Sequence, residues 1–264
     1  VDQGEDVEPL VVPGRGLERA RLQRALIDAM DAGQEADLRE RLRARALLPS
    51  GALGARQFEA MLAQASPFAR ARRAWLAGET AASAAYAIEL DGLRLHGRVA
   101  DVTARGLVRL RADALNGRAA LRWGLDWLLA NAAGARLPLV QFHDGDHPGP
   151  HLTEALAPEQ ARTALRCLLA LHARGLQAPL LFAPSTGWDI WNAEPGKRRA
   201  AGWKRWHGDG NGGWAEGEGE AIRLALRGRD PFARDDDYAE LERTSLDVYE
   251  LLRHGRMRHD GGAA

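Results

Sequence analysis

The chain predicts a mixed α/β fold, and three patterns carry that prediction. Apolar residues recur at spacings of three to four towards both ends. An alternating, hairpin-linked stretch occupies residues 85–113. A helix then separates that stretch from a short apolar strand at Pro138–His143. At 264 residues the chain approaches the upper limit for one hydrophobic core. Its 45% apolar and 27% charged residues argue against wholesale disorder. Basic and acidic residues number 36 each, so net charge selects no partner class and any preference must come from where the charges lie.

The first two helices are read over Leu17–Met30 and Ala36–Leu47, split at Gly33, and a third over Arg56–Ala77 after the turn at residues 47–54. Arg39, Arg41, Arg43 and Arg45 spread around the second helix, as on a solvated face. AYAIEL, then Asp91-Gly92, then LRLHGRVADV reads as strand, tight turn, strand. LVRLRAD adds a third strand after a turn at Ala104–Gly106. Arg118–Ala132 reads as a helix with Leu121, Leu125 and Leu128 on one face. A helix over Pro158–Arg174, a strand at Pro179–Ala183 and helices near Glu220–Arg227 and Asp236–Arg253 complete the reading, with fraying expected after His254. Residues 1–80 are expected to form a helical segment packing on a core at residues 81–264.

Several function classes drop out. A single cysteine, Cys167, excludes a disulfide framework and multi-thiolate zinc sites, and its setting ALRCLLAL reads as a buried structural thiol. No run approaches the ~18 apolar residues that a membrane span needs. The start, VDQGEDVEPL, has no initiator Met and no basic-then-apolar leader, and reads as a cut within a longer protein. His143–His151, HDGDHPGPH, has imidazoles and carboxylates, but its Asp-Gly and Pro residues are turn chemistry and its spacing is not that of a metal site. Asp209–Glu220 has acids at some EF-hand positions but places Trp214 where that loop needs glycine.

Helix, three antiparallel strands, helix, strand is the order that resembles the core of restriction-endonuclease-like, PD-(D/E)XK nucleases. There the second and third strands present carboxylates for Mg²⁺ and a lysine for the attacking water. On Gly97–Gly117 the metal-binding Asp position falls on Ala100, and the acid-x-Lys pair on Asp113 and Leu115. A slip of one residue would offer Asp101, but the lysine is still missing. Lys197 and Lys204 are the chain's two lysines. The site reads as degenerate, with no catalytic residue, metal or cofactor expected.

Alternation instead places Arg94, His96 and Arg98 on one face of the second strand and Arg109 and Arg111 on one face of the third, with Leu93, Leu95 and Val99 pointing the other way. Such a surface can contact phosphate. It is also what the polar face of a half-buried sheet looks like. Lys197, Arg198, Arg199, Lys204 and Arg205 interleave with Trp188, Trp191, Trp203 and Trp206, a composition suited to stacking on single strands or to a buried aromatic stripe with a basic back. The candidate nucleic-acid contacts are therefore Arg94, Arg98, Arg109, Arg111, Lys197, Arg198, Lys204 and Arg205. Residues 229–250 hold eight acids and three arginines, a solvated helix face or a dock for a basic surface.

The ordered blocks VEPLVVPGRGLERARLQRALIDAM, ARALLPSGALGARQFEAML, LRLHGRVADV, GLVRLRADAL, ALRWGLDWLLANAAG, PLVQF, QAPLLFAPSTGWDIW and GEGEAIRLALRGRDPF resemble the C-terminal domain of RecC, the gamma subunit of exodeoxyribonuclease V, the RecBCD complex. The resemblance implies a bacterial, cytoplasmic, inactivated nuclease-like domain lying behind helicase-like domains. It also implies RecB and RecD as partners and double-stranded DNA ends and single strands as ligands. Three functions stay open: a non-catalytic module that guides and separates DNA strands, a protein-docking module that contacts RecD or RecB without touching DNA, and a residual nuclease using Asp101 and Asp113 with a distant lysine.

Overall fold

The computed structural model describes residues 16–208 and 215–257, with side chains from Arg21 onward. It is mixed α/β, with nine α-helices and a five-stranded sheet among these residues. Residues 209–214 of the rejected EF-hand reading, and residues 258–264 of the tail expected to fray, lie outside them. The chain forms two compact units. One comprises residues 1–80, 108–114 and 140–151, and the other residues 81–107, 115–139 and 152–264. Three strands therefore change unit partway along their length.

In the first unit, α1 (Gly16–Ala32), α2 (Glu35–Ala44) and α3 (Gly51–Leu76) close over Leu22, Leu26, Leu38, Leu42, Leu48 and Phe58. α3 begins earlier than its apolar spacing indicates, because Ser50 supplies an extended N-cap residue inside the stretch read as a turn. The strand residues of this unit come from β3 (Gly106–Ala114) and β4 (Leu139–Asp144). Val108, Leu110 and Ala112 alternate onto α3 side chains including Phe68, Ala69 and Trp75.

In the second unit, β1 (Ala82–Leu90) and β2 (Leu93–Thr103) form a hairpin whose loop residues Asp91 and Gly92 have φ of 51° and 79°, the left-handed pair of a type I′ turn. The register runs from Leu90↔Leu93 to Ala84↔Val99 and resumes at Ala82↔Val102. Ala100 and Asp101 thus face the single residue Ser83 across a β-bulge, with Asp101 in the left-handed region at φ 54°. The extra residue lets Leu95, Val99 and Val102 all face the core.

That core joins the hairpin to α4 (Gly117–Ala132), α5 (Pro158–Gln177) and α9 (Asp235–His254). α4 buries Ala120, Trp123, Trp127 and Leu128, while Leu125, expected on the buried stripe, is exposed. The fully buried Asn131 leaves none of its amide idle. Its Nδ2 donates to Trp127 O at 2.8 Å and Leu137 O at 3.0 Å, and its Oδ1 accepts from Leu156 N at 3.3 Å.

The strands lie in the order β1-β2-β3-β4-β5, the last being the three-residue His151–Thr153, which the turn-rich sequence around it concealed. The strand expected at Pro179–Ala183 does not form. Those residues lead irregularly into α6 (Pro184–Asn192), and Leu181 and Ala183 pack into a second cluster with Ile190, Trp206 and Leu241. α7 (Arg198–His207) and α8 (Glu220–Leu226) complete that cluster's surround.

At the start of α4, a Cβ on Gly117 would lie 1.9 Å from Pro184 O and 2.6 Å from the Tyr249 hydroxyl, which itself donates to Pro184 O at 2.6 Å. Gly117→Ala is therefore expected to cost about 1–3 kcal/mol by overpacking, measured as a lowered midpoint in chemical denaturation.

Candidate nucleic-acid interface

On β2 the expected alternation holds. Arg94, His96, Arg98 and Ala100 are exposed, while Leu95, Gly97 and Val99 turn inwards. Leu93, grouped with the inward set, is 55% exposed because it directly follows the turn. Neither Arg94 nor Arg98 forms an ion pair with another described residue, although Glu89 stands directly across from Arg94 in the register. The strand opposite them offers mainly methyl groups: Ala85 faces Arg98 and Ala87 faces His96.

β3 differs. Arg109 is 6% exposed, and its Nη1 donates to Val108 O at 3.1 Å. Arg111 is half-buried, donates to Ala114 O at 2.8 Å and lies 3.8 Å from Asp113. The two arginines do share a strand face, but it is not an open polar one, since Arg109 is buried and Arg111 half-buried on it.

Of the positions to which the nuclease pattern assigns an acid and a lysine, Ala100 is an exposed methyl at the bulge and Leu115 packs against the core of the second unit. The Asp113 carboxylate accepts from Gln23 Nε2 at 2.8 Å and Gln64 Nε2 at 3.1 Å, and lies near the Arg111 guanidinium. Amides and a guanidinium thus occupy the lone pairs a divalent cation would need. Among the described residues no group of three or more His, Cys, Asp or Glu side chains could hold a metal ion. His143, His147 and His151 instead stack, with centroids 4.2 and 4.4 Å apart, bonding to nearby backbone.

The basic, tryptophan-rich run folds into α6, a 3-10 turn at Pro195–Lys197, and α7. Most of its charge meets acids of the same chain. Lys197 pairs with Glu194 at 2.7 Å, Arg198 with Glu242 at 3.3 Å, Arg199 with Asp235 at 2.8 Å, and Arg205 with Asp189 at 2.7 Å. Arg199 also lies 4.8 Å over the Tyr238 ring. Lys204 alone among these cations forms no ion pair with a described residue. Trp206 is buried, Trp188 and Trp191 stack at 5.2 Å beside Tyr249, and only Trp203, at 51% exposure, shows a broad face to solvent. The acidic run forms α9, and several of its carboxylates receive the basic run, a match visible in the sequence only as two opposite net charges.

Burial raises the Asp189 carboxyl, and the Arg205 bond and charge oppose that shift. Asp237, in the first turn of α9, has its carboxyl held below the usual range by the hydrogen bonds from Arg229. Burial also lifts the Tyr238 hydroxyl to about 12, helped by the Glu242 charge.

These observations define a mixed α/β protein with an exposed cationic face on β2. A family model, the RecC C-terminal domain, matches residues 1–195, and the chain belongs to that family. Membership implies the role of the RecC subunit of the RecBCD complex, exodeoxyribonuclease V, in DNA repair and recombination. The match ends before α7, so the GEGEAIRLALRGRDPF block lies beyond it. No curated protein matches the chain. No described helix is long and apolar enough to cross a membrane.

Two outcomes follow from the pairings. Arg198→Ala should cost about 2 kcal/mol of stability, read by denaturation, and should leave DNA affinity unchanged because the guanidinium faces Glu242. The Asp237 pKa is lower folded than unfolded. Its contribution is therefore complete above about pH 4 and is lost as pH falls through the folded value. Asp237→Asn should lower the melting temperature at pH 7, with the gap to the parent closing only in melts below about pH 4.

Proposed function

We propose that the chain is the non-catalytic C-terminal module of a RecC subunit, in a bacterial, cytoplasmic RecBCD-type helicase/nuclease. It helps to guide and separate DNA strands at double-strand breaks, alongside RecB and RecD. The observation that carries this reading is the exposed row of Arg94, His96 and Arg98 on β2. Guanidiniums without ion pairs on a rigid strand can neutralise phosphates, and phosphate contacts position a duplex without reading its sequence. Lys204 and the exposed ring of Trp203 offer a cation and a stacking surface one residue apart on α7.

Absence of catalysis is part of the proposal. Its support is Ala100 and Leu115 at the positions of an acid and a lysine, and the engagement of Asp113 by Gln23 and Gln64. The chain needs no metal or cofactor for this role. The residual-nuclease reading would require a lysine from Lys197 or Lys204, neither of which stands on β2 or β3.

One observation favours the second reading, docking onto RecD or RecB without DNA contact. Five of the eight candidate cations, namely Arg109, Arg111, Lys197, Arg198 and Arg205, are buried or bonded within the chain. The DNA reading therefore rests on Arg94, Arg98 and Lys204.

Titration of labelled forked DNA and plain duplex at low and moderate salt, with Mg²⁺ present, separates the readings. Binding should be tighter to the fork, should weaken steeply with salt, and should proceed without cleavage. Arg94→Ala with Arg98→Ala should weaken it and flatten the log–log salt slope by about 0.9 for each phosphate that the variant no longer neutralises. Binding to neither substrate at low salt would leave docking as the function. Binding that the double variant does not alter would remove the β2 row from the interface.

A further inference from the structure

Between α1 and α2, within the first unit, lies a groove of about 340 Å³. Its α1 side carries Ala25 and Ala29, one helical turn apart, and its α2 side carries Leu38 and Leu42. The two leucines are each 6% exposed and belong to the core of the three-helix cluster. Methyl groups on one helix facing leucines on the other leave a furrow with an apolar floor.

The charges along the furrow are unequally engaged. α2 and the residue that ends it carry four arginines. Arg39 and Arg43 have Glu40 beside them, at 3.7 and 3.0 Å. Arg41 and Arg45, the two that line the groove, are exposed and form no ion pair with another described residue. Asp28 lines the other side, but Arg24 of its own helix donates to both carboxylate oxygens, at 3.1 and 3.2 Å. Two guanidiniums four residues apart, about 6 Å along the axis, therefore stand at the rim with their charge unmatched.

These features specify an occupant. Helix backbones are satisfied internally, so the furrow offers no ladder to an extended strand, and a segment that enters it must satisfy its own backbone. A helix does so, and a ridge of its side chains seats in the furrow between two others. Carboxylates four residues apart on that helix repeat the spacing of Arg41 and Arg45, and guanidiniums take carboxylates through paired hydrogen bonds. A nucleic-acid backbone matches the cations but brings no apolar ridge to the floor.

We propose that the groove between α1 and α2 docks an acidic amphipathic helix of a partner protein, with apolar side chains on Ala25, Ala29, Leu38 and Leu42 and two carboxylates on Arg41 and Arg45. This interface uses none of the cations on which the DNA reading rests, so each can fail without the other.

Photo-cross-linking in the assembled complex, with forked DNA present, tests the assignment. Gln34 lines the groove, is exposed, and makes no side-chain cap bond, so a benzoylphenylalanine in its place reports what occupies the site. The expected product joins this chain to a segment of another protein that carries apolar residues at helical spacing and acids four apart, located by mass spectrometry. Arg41→Glu with Arg45→Glu should cut the yield by about tenfold or more, with circular dichroism and fork binding unchanged. Replacing the two mapped acids by arginine should restore it. Ala25→Trp, which fills the groove and leaves its charge alone, should also suppress the product. Cross-links to DNA, to a second copy, within the same chain or to a segment without such acids would overturn the proposal, as would no product. So would a yield that the double charge reversal leaves intact or that the arginine replacements fail to rescue.

Discussion

The second unit depends on one buried carboxylate. Glu216 has no exposed surface, and its two oxygens accept from the backbone N–H groups of Ser185 at 3.0 Å and Thr186 at 2.6 Å. These are among the first N–H groups of α6, which lack partners within the helix. The carboxylate thus satisfies two of these donors at the positive end of the helix dipole. Removing it would leave donors stranded in a dry interior. The anchor fixes α6, and α6 carries Trp188 and Trp191 against Tyr249 on α9, and Asp189 against Arg205 on α7. Pro184, the first residue of α6, takes the Tyr249 hydroxyl bond and closes on Gly117 at the head of α4. Three helices are thus referenced to one end of a nine-residue helix.

This arrangement also decides which charges remain for partners. Of the basic run, Arg198 and Arg199 point to α9, and Arg205 points to α6. The pairs involving exposed atoms add little stability, because water screens them. Their consequence is for recognition: a guanidinium already held by a carboxylate must leave it to take a phosphate. Arg94 and Arg98 carry no such cost. The distinction between the two sets lies in packing rather than in residue type, which is why equal counts of basic and acidic residues conceal it.

Much of the fold could be read from the residues alone. The Asp-Gly turn fixed the hairpin, the alternation of LRLHGRV placed Arg94, His96 and Arg98 outside, and amphipathic spacing located most helices to within a few residues. The failures have physical causes. Arg109 alternates as an exposed residue should, yet β3 is buried on both faces along Gly106–Arg109, and period-two patterning cannot tell how many faces are covered. PLLFA has strand composition, but it joins two helices and its leucine and alanine fill a cluster centred on Ile190 and Trp206. The bulge at Ala100–Asp101 left no glycine to mark it. For the candidate site, the identities of Ala100, Asp113 and Leu115 were legible. The partners that occupy Asp113 were not, because Gln23 and Gln64 come from helices 90 and 49 residues away in sequence.

The three positions that the nuclease pattern singles out each serve the fold of this chain. At Asp113 a carboxylate remains, but two glutamine amides and a guanidinium satisfy it, so its charge serves the packing of the first unit. Ala100 carries only a methyl, and the bulge beside it turns the following residues so that Val102 reaches the core of the second unit. At Leu115 a hydrophobic side chain packs where an ammonium would need water or an anion. Each of the three positions therefore has a use in packing. An acid placed at Ala100 would still find Asp113 engaged by two amides. Among the described residues, Arg94 and Arg98 on β2 hold no ion pair, and it is there that the hairpin has charge to offer a partner.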